Sequence, residues 1–249
     1  MAMTDTVTQA GTDDVVLREL TSRFYDGRTD AGHRYSSEAW FARYAEELLA
    51  LIPHGGTLLD VGCGSCQITT YLAAAFDSVV GIDPSDSMLA AARERSRLQG
   101  ADNISVLNGD AVCFPPEVER ADVILTNGVI QYLDNASLRR HLSECARILN
   151  DGGTICWALV PDANLRRLWY VGAFENPRKL LRRIIRDFAR TELRWWKARR
   201  RGDILWDGIG LWFTRDELRA TAEEMGFVVE FRNSWFYEYR FTALLTRPS

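Results

Sequence analysis

The run Leu58-Leu59-Asp60-Val61-Gly62-Cys63-Gly64-Ser65-Cys66 joins an apolar stretch, a carboxylate and a Gly-x-Gly turn. A buried strand that ends in an acid and turns on glycines brings its backbone close to a ligand, and the helix after it offers free N–H groups. Alone, this turn says only that a nucleotide-like ligand can bind. Three further polar strand ends add discrimination. Val79-Val80-Gly81-Ile82-Asp83 ends in an acid 23 residues after Asp60, where a carboxylate can accept both hydroxyls of an adenosine ribose. Asn108-Gly109-Asp110 is placed to receive an adenine amino group, and Thr126-Asn127-Gly128 closes the fourth strand. Each acid, taken singly, would also serve as a helix cap.

Asp60-x-Gly62-x-Gly64, then Asp83, then Gly109-Asp110, then Asn127, together resemble the class I S-adenosylmethionine-dependent methyltransferase family. The resemblance covers about residues 55–160 in detail and the last helix and two strands loosely. It implies S-adenosylmethionine as cofactor and S-adenosylhomocysteine as product. Asp60, Gly62, Cys63 and Gly64 would line the methionine end. Asp83 would hold the ribose, with Pro84, Ser85 and Met88 along the adenine. Asp110 and Ala111 would meet the adenine edge, and Asn127 the methionine ammonium. The chain departs from the family at Cys66, where a third glycine is usual.

Transfer from such a donor is an in-line displacement, so the protein chiefly aligns donor and acceptor. An oxygen acceptor gains from a base when its hydroxyl must lose a proton. His33 and Tyr132 are the catalytic candidates, and Tyr25, Tyr35 and Gln131 the residues expected to border the acceptor. His54 is expected in an exposed turn, and His141 on the solvent face of a helix. Cys63-x-x-Cys66 has no second Cys or His pair at metal-binding spacing, so no metal site is expected. Asn127-Gly128-Val129-Ile130 is not the Asn/Asp-Pro-Pro-Tyr/Phe of enzymes that methylate base amino groups, which argues against nucleic acid as acceptor.

The elements that must position these residues alternate. Strands are expected at Thr57–Val61, Ser78–Ile82, Ile104–Leu107, Asp122–Thr126 and Thr154–Val160, with helices at Ile68–Phe76, Asp86–Gln99 and Ser137–Leu149. Asp151-Gly152-Gly153 reads as a turn. Residues 15–52 read as helical around a Gly/Asp break. Thr214-Arg215-Asp216-Glu217 has the form of a capping box, its helix stops at Gly226, and Val228–Phe231 and Arg240–Thr246 are the last strands. Continuous apolar strands joined by helices predict a doubly wound, Rossmann-like α/β fold with a mostly parallel seven-stranded sheet.

The domain reading is a frayed tail at 1–14, helices and core at 15–160, a helical cap at 161–212 and a completing unit at 213–249. The cap has no convincing strand. Asn176-Pro177 opens a basic helix over 176–201. From Arg166 to Arg201 there are thirteen Lys/Arg against three acids, in a chain of net charge −4. Such asymmetry suggests an anionic partner. The cap's aromatics, Trp169 among them, and its Arg182 and Arg183 are the candidate substrate contacts. Peripheral contact of that helix with an anionic membrane and RNA binding are the competing readings. With 249 residues, five cysteines in no disulfide pattern and no long apolar run, the expectation is a cytoplasmic enzyme, possible membrane association aside. The leading acceptor is an oxygen of a small molecule, sugar or lipid-linked glycan bearing an anionic group. A nitrogen acceptor, RNA methylation, and a module that binds the cofactor without turnover are the alternatives.

Overall fold

The computed structural model describes residues 6–8, 37–170, 174, 203–205 and 210–248. The strands are β1 (Thr6–Thr8), β2 (Thr57–Val61), β3 (Ser78–Asp83), β4 (Ile104–Asn108), β5 (Ala121–Asn127), β6 (Leu149–Pro161), β7 (Asp203–Leu205), β8 (Val228–Asn233) and β9 (Arg240–Thr246). The helices are α1 (Glu38–Leu49), α2 (Thr69–Leu72), α3 (Asp86–Gln99), α4 (Asn135–Ile148), α5 (Arg166–Tyr170) and α6 (Arg215–Glu224). Seven strands pair in the order β4-β3-β2-β5-β6-β9-β8. The first five of these are parallel and β9 runs antiparallel to both its neighbours. Chain order reverses on either side of β2, so the loops after β2 and β5 part there and open a crevice at their carboxyl ends.

Both faces of the sheet are covered, which is why its strands read as unbroken apolar runs. Leu59, Val61, Ile124, Ile155 and Trp157 pack toward α4 and α6. Leu58, Val123, Leu125, Cys156 and Ala158 pack toward α1 and α2. Each fully buried Leu or Ile contributes about 1.5–3 kcal/mol relative to exposure, so this double layer fixes the strand ends that carry the polar residues. Helix starts are set locally. Ser85 caps α3, Asp134 accepts from Ser137 N to cap α4, and Thr214 and Glu217 form both bonds of a capping box at α6. Gly100 closes α3 in the left-handed conformation.

Several expectations need correcting. The tail expected to fray holds β1, and the cap segment read as strandless holds β7, which pairs with β1 antiparallel. Asp151-Gly152-Gly153 is no free turn: it is a bulge inside β6, where register jumps from Ala121↔Leu149 to Val123↔Thr154. The helix expected at Ile68–Phe76 is one turn of α2 followed by a 3-10 turn at Ala73–Ala75. Of the helical region 15–52, α1 is described, and residues 15–36 lie outside the described residues, as does the 176–201 helix. All five cysteines are free.

His141, expected on a solvent face, is fully buried. It lies three residues after Leu138 and four before Cys145, on the stripe that α4 turns to the sheet. Trp157 Nε1 lies 3.3 Å from His141 Nε2, and His141 Nδ1 lies 2.7 Å from the Ala111 carbonyl. An indole N–H only donates, so Nε2 must accept and Nδ1 must carry the proton: the ring is neutral. Burial holds its pKa down at about 4. The unfolded chain takes up this proton near pH 6.5 and the folded one does not, so stability is lost as pH falls from 6.5 toward 4. Denaturant titrations at pH 7.5 and pH 5 should show a wild-type loss larger by roughly 2 kcal/mol than that of His141→Gln. Equal losses in the two proteins would contradict a buried neutral imidazole.

Candidate functional site

The site is built around the carboxyl end of β2. Asp60 is 4% exposed, on the same face of the strand as Leu58. One oxygen, Oδ2, accepts from Thr69 Oγ1 at 2.5 Å, which ties the strand end to the start of α2. The other, Oδ1, is buried without a hydrogen-bond partner among the described residues. Desolvation, with Asp83 adding to it, pushes the Asp60 pKa up to about 6 against the opposing Thr69 bond. Ser65 Oγ, in the same loop, is a second buried oxygen without a partner among the described residues. Buried polar atoms of this kind cost free energy unless something meets them.

The loop leaves room for that partner. Gly62 and Gly64 both have positive φ, and a Cβ on Gly62 would come within 2.3 Å of Val129 Cγ2. Gly81, paired in register with Asp60, leaves space that Cys63 Sγ fills; a Cβ there would sit 2.8 Å from the sulfur. Cys66 takes φ +55, a left-handed conformation that a side chain adopts at a cost. This is the physical reason a glycine is expected there. Cys63 and Cys66 lie in a small cluster with Leu89 and Ala92, and the neighbouring Cys66 side chain, with burial adding to it, drives the Cys63 thiol pKa well up. A buried Cys63 thiol held protonated in this way is packing material. No group of three or more His, Cys, Asp or Glu able to hold a metal occurs among the described residues.

The next two strand ends supply carboxylates. Asp83 is buried, its Oδ2 accepting from Gly64 N and its Oδ1 from Ser85 N, both at 2.9 Å. It thus braces the β2 loop against the β3 loop, and each oxygen keeps a lone pair for a ligand. Burial raises its pKa against those two bonds. Ser85 is buried and Pro84 exposed beside it, while Met88 is 1% exposed and belongs to the interior. Asp110 is half-buried and turns back to accept from Val112 N at 3.0 Å. Ala111 adjoins it, held from behind by His141.

At the end of β5, Asn127 Oδ1 accepts from Tyr44 OH at 2.9 Å. Tyr44 is 1% exposed on α1, so the first described helix clamps the fourth strand end. Asn127, Asp60 and Asp83 therefore converge on one crevice. Tyr132, a catalytic candidate, is half-buried in the 3-10 turn after β5. Gln131 does not face open space: it is 7% exposed and its Oε1 accepts from Arg240 at 2.8 Å. Trp169 is half-buried and packs on Tyr170 and Trp212. His33, Tyr25, Tyr35, Arg182 and Arg183 lie outside the described residues. Sequence reasoning missed Tyr44, Thr69, His141 and Arg240. Position 141 carried a usable signal in its helical spacing from Leu138 and Cys145; the other three matter through partners far along the chain.

Residues 58–153 match the family model described as methyltransferase domain. The chain is 34% identical over 129 residues to malonyl-[acyl-carrier protein] O-methyltransferase of Methylococcus capsulatus, covering 49% of this chain and 46% of the relative. It is 38% identical over 125 residues to the protein of the same name from Pectobacterium atrosepticum, covering 49% and 47%. The chain thus spans about half the length of these relatives. Its fold is similar to the solved DhpI–SAM–HEP complex, with a TM-score of 0.64 and 16% identity over 96% of this chain and 100% of that one. At that identity the likeness is one of fold.

The left-handed backbone at Cys66 sets an unusual ranking of substitutions. Both Cys66→Gly and Cys66→Ala remove the buried sulfur, but only glycine relieves the backbone. Thermal or denaturant melts should find Cys66→Gly more stable than Cys66→Ala by about 1 kcal/mol. In an ordinary loop or helix the order would be the reverse.

Proposed function

We propose that this chain, which belongs to the class I S-adenosylmethionine-dependent methyltransferase family, binds S-adenosylmethionine at the end of β2 and transfers its methyl group to an oxygen of an anionic acceptor. One observation carries the reading: Asp60, just before the positive-φ glycines Gly62 and Gly64, keeps a buried carboxylate oxygen with no hydrogen-bond partner among the described residues. Burying such an acceptor is costly without a donor, and an α-ammonium is the donor this cofactor offers. The residues present therefore fit the group.

When bound, the cofactor supplies a sulfonium methyl already activated for displacement. The rest falls to the chain. Asp60 Oδ1 would accept from the ammonium, with Asn127, fixed by Tyr44, as a second contact for the methionine end. Asp83 keeps lone pairs for the ribose hydroxyls, and Asp110 with Ala111 borders the adenine edge. Gly62 and Gly64 admit the methionine end, where any Cβ would collide or strain the turn. Aligning the acceptor on the open side is the remaining contribution to rate. Two relatives bear the name O-methyltransferase, which supports oxygen as the attacked atom here. An acceptor oxyanion needs no base. A hydroxyl would, and Tyr132 and His33 are the candidates. The positive surplus of 166–201 supports an acidic small molecule, sugar or lipid-linked glycan held under a cap at 161–212. Among the described residues no helix is long and apolar enough to cross a membrane.

Calorimetry with S-adenosylhomocysteine tests the cofactor reading. A Kd on the order of 10 micromolar or tighter is expected, weakened roughly tenfold to a hundredfold in Asp83→Asn, with no competition by NAD. Asp60 must be ionised to meet an ammonium, and its pKa lies near 6. Affinity should therefore fall about tenfold per pH unit below 6 in the wild type and stay weak and flat in Asp60→Asn. The raised pKa also penalises the ligand-free fold above pH 6, so Asp60→Asn should melt higher there, by up to roughly 3 kcal/mol. Tighter binding of NAD than of S-adenosylhomocysteine would sink the reading.

A further inference from the structure

The structure assigns the acceptor's anion to Arg240, a residue far in sequence from the basic cap; this inference rests on the cofactor reading above. Arg240 opens β9 and pairs with Pro161 at the far end of β6. β6 and β5 are in parallel register at Asn127↔Ala158, so Arg240 stands at the same carboxyl edge as Asn127. Its half-buried guanidinium has no carboxylate bonded to it among the described residues. Nη1 donates instead to two neutral oxygens, Gln131 Oε1 at 2.8 Å and the Leu159 carbonyl at 2.5 Å. Two neutral acceptors orient the group and, among the described residues, leave its charge unpaired and its Nε and Nη2 edge without a bonded partner, the fork a bidentate oxyanion takes.

The setting is built and not incidental. Leu159 takes φ +57 inside a bulge of β6, a strained conformation for a side chain of its size, and its carbonyl is the one that meets Arg240. Tyr237 and Tyr239 flank the guanidinium, with ring centroids 5.8 and 5.4 Å from its carbon. Beyond them Tyr239 meets Trp212 and Trp169 at 6.2 and 6.3 Å. None of these four rings is fully buried. On the other side, Tyr237 meets Trp40, which stacks on Tyr44, the residue that holds Asn127. A cation with an open edge, set in a partly open aromatic wall that runs to the cofactor crevice, suits one class of acceptor: a carboxylate or similar oxyanion attached to a flat apolar body.

The probe is 2-naphthoate, titrated into protein saturated with S-adenosylhomocysteine and followed by tryptophan fluorescence, with 2-naphthamide as its neutral counterpart. Wild type should bind the acid at least about tenfold more tightly than the amide. Arg240→Gln should abolish that preference, and Arg240→Lys, which keeps the charge but loses the fork, should retain only part of it. S-adenosylhomocysteine affinity is measured on each variant as the check of folding. If Arg240→Gln does not fold, the wild-type preference and its partial loss in Arg240→Lys decide. A wild type that binds acid and amide alike, or a preference that survives in Arg240→Gln, overturns the assignment of Arg240 and leaves the cofactor reading standing. Failure of wild type to bind S-adenosylhomocysteine at all overturns both.

Discussion

A carboxylate that is only half satisfied lies at the centre of this molecule. Asp60 lies at the carboxyl end of a strand with parallel neighbours on both sides, and one of its oxygens has no donor among the described residues. Water cannot easily repay that cost at 4% exposure. Much of the surrounding geometry follows from keeping the oxygen reachable. The backbone must turn away at once, hence the positive φ of Gly62 and Gly64 and the tolerated strain at Cys66. Thr69 must come back to hold the other oxygen, which fixes where α2 starts. Asp83 must brace the loop from the next strand through Gly64 N. Left unmet, that oxygen is a local instability of the fold, which a bound cation would relieve.

That account explains why the β2 loop and the acid that braces it were legible in the sequence. Strand ends, acids and glycines are local: Asp60, Gly62, Gly64 and Asp83 each declare themselves within a few residues, and α3 and β9 begin and end where hydrophobic period and caps predict. What was not legible depends on register between distant segments. The pairing of β1 with β7 joins residues at opposite ends of the chain. Gln131 looked like an acceptor-facing side chain because it follows β5, yet Arg240 claims it from 109 residues away. His141 is the exception. Its spacing from Leu138 and Cys145 placed it on the buried stripe, but a polar side chain was assigned to solvent without asking what could satisfy it. Trp157 and the Ala111 carbonyl do so, both from other elements.

The two halves of the crevice differ in sign. The side built by β2, β3 and β4 is lined by Asp60, Asp83 and Asp110. The side built by β6, β9 and α5 carries Arg240, with Arg166 resting near Tyr170 and Trp212. On the function proposed above, a donor bearing an ammonium and a sulfonium would sit on the first side, and an oxyanion on the second. The antiparallel insertion of β9 beside β6 makes this possible, because it delivers the first residue of a late strand to the carboxyl edge, where a parallel strand would deliver its last. Tyr44 and Trp40 join the halves: one fixes Asn127 on the donor side, and the other reaches Tyr237 beside the arginine. Because α1 carries both, any shift of that helix moves the donor contact and the aromatic wall together. On the function proposed above, alignment of donor and acceptor, the main demand of a displacement reaction, would depend on how α1 seats on the sheet.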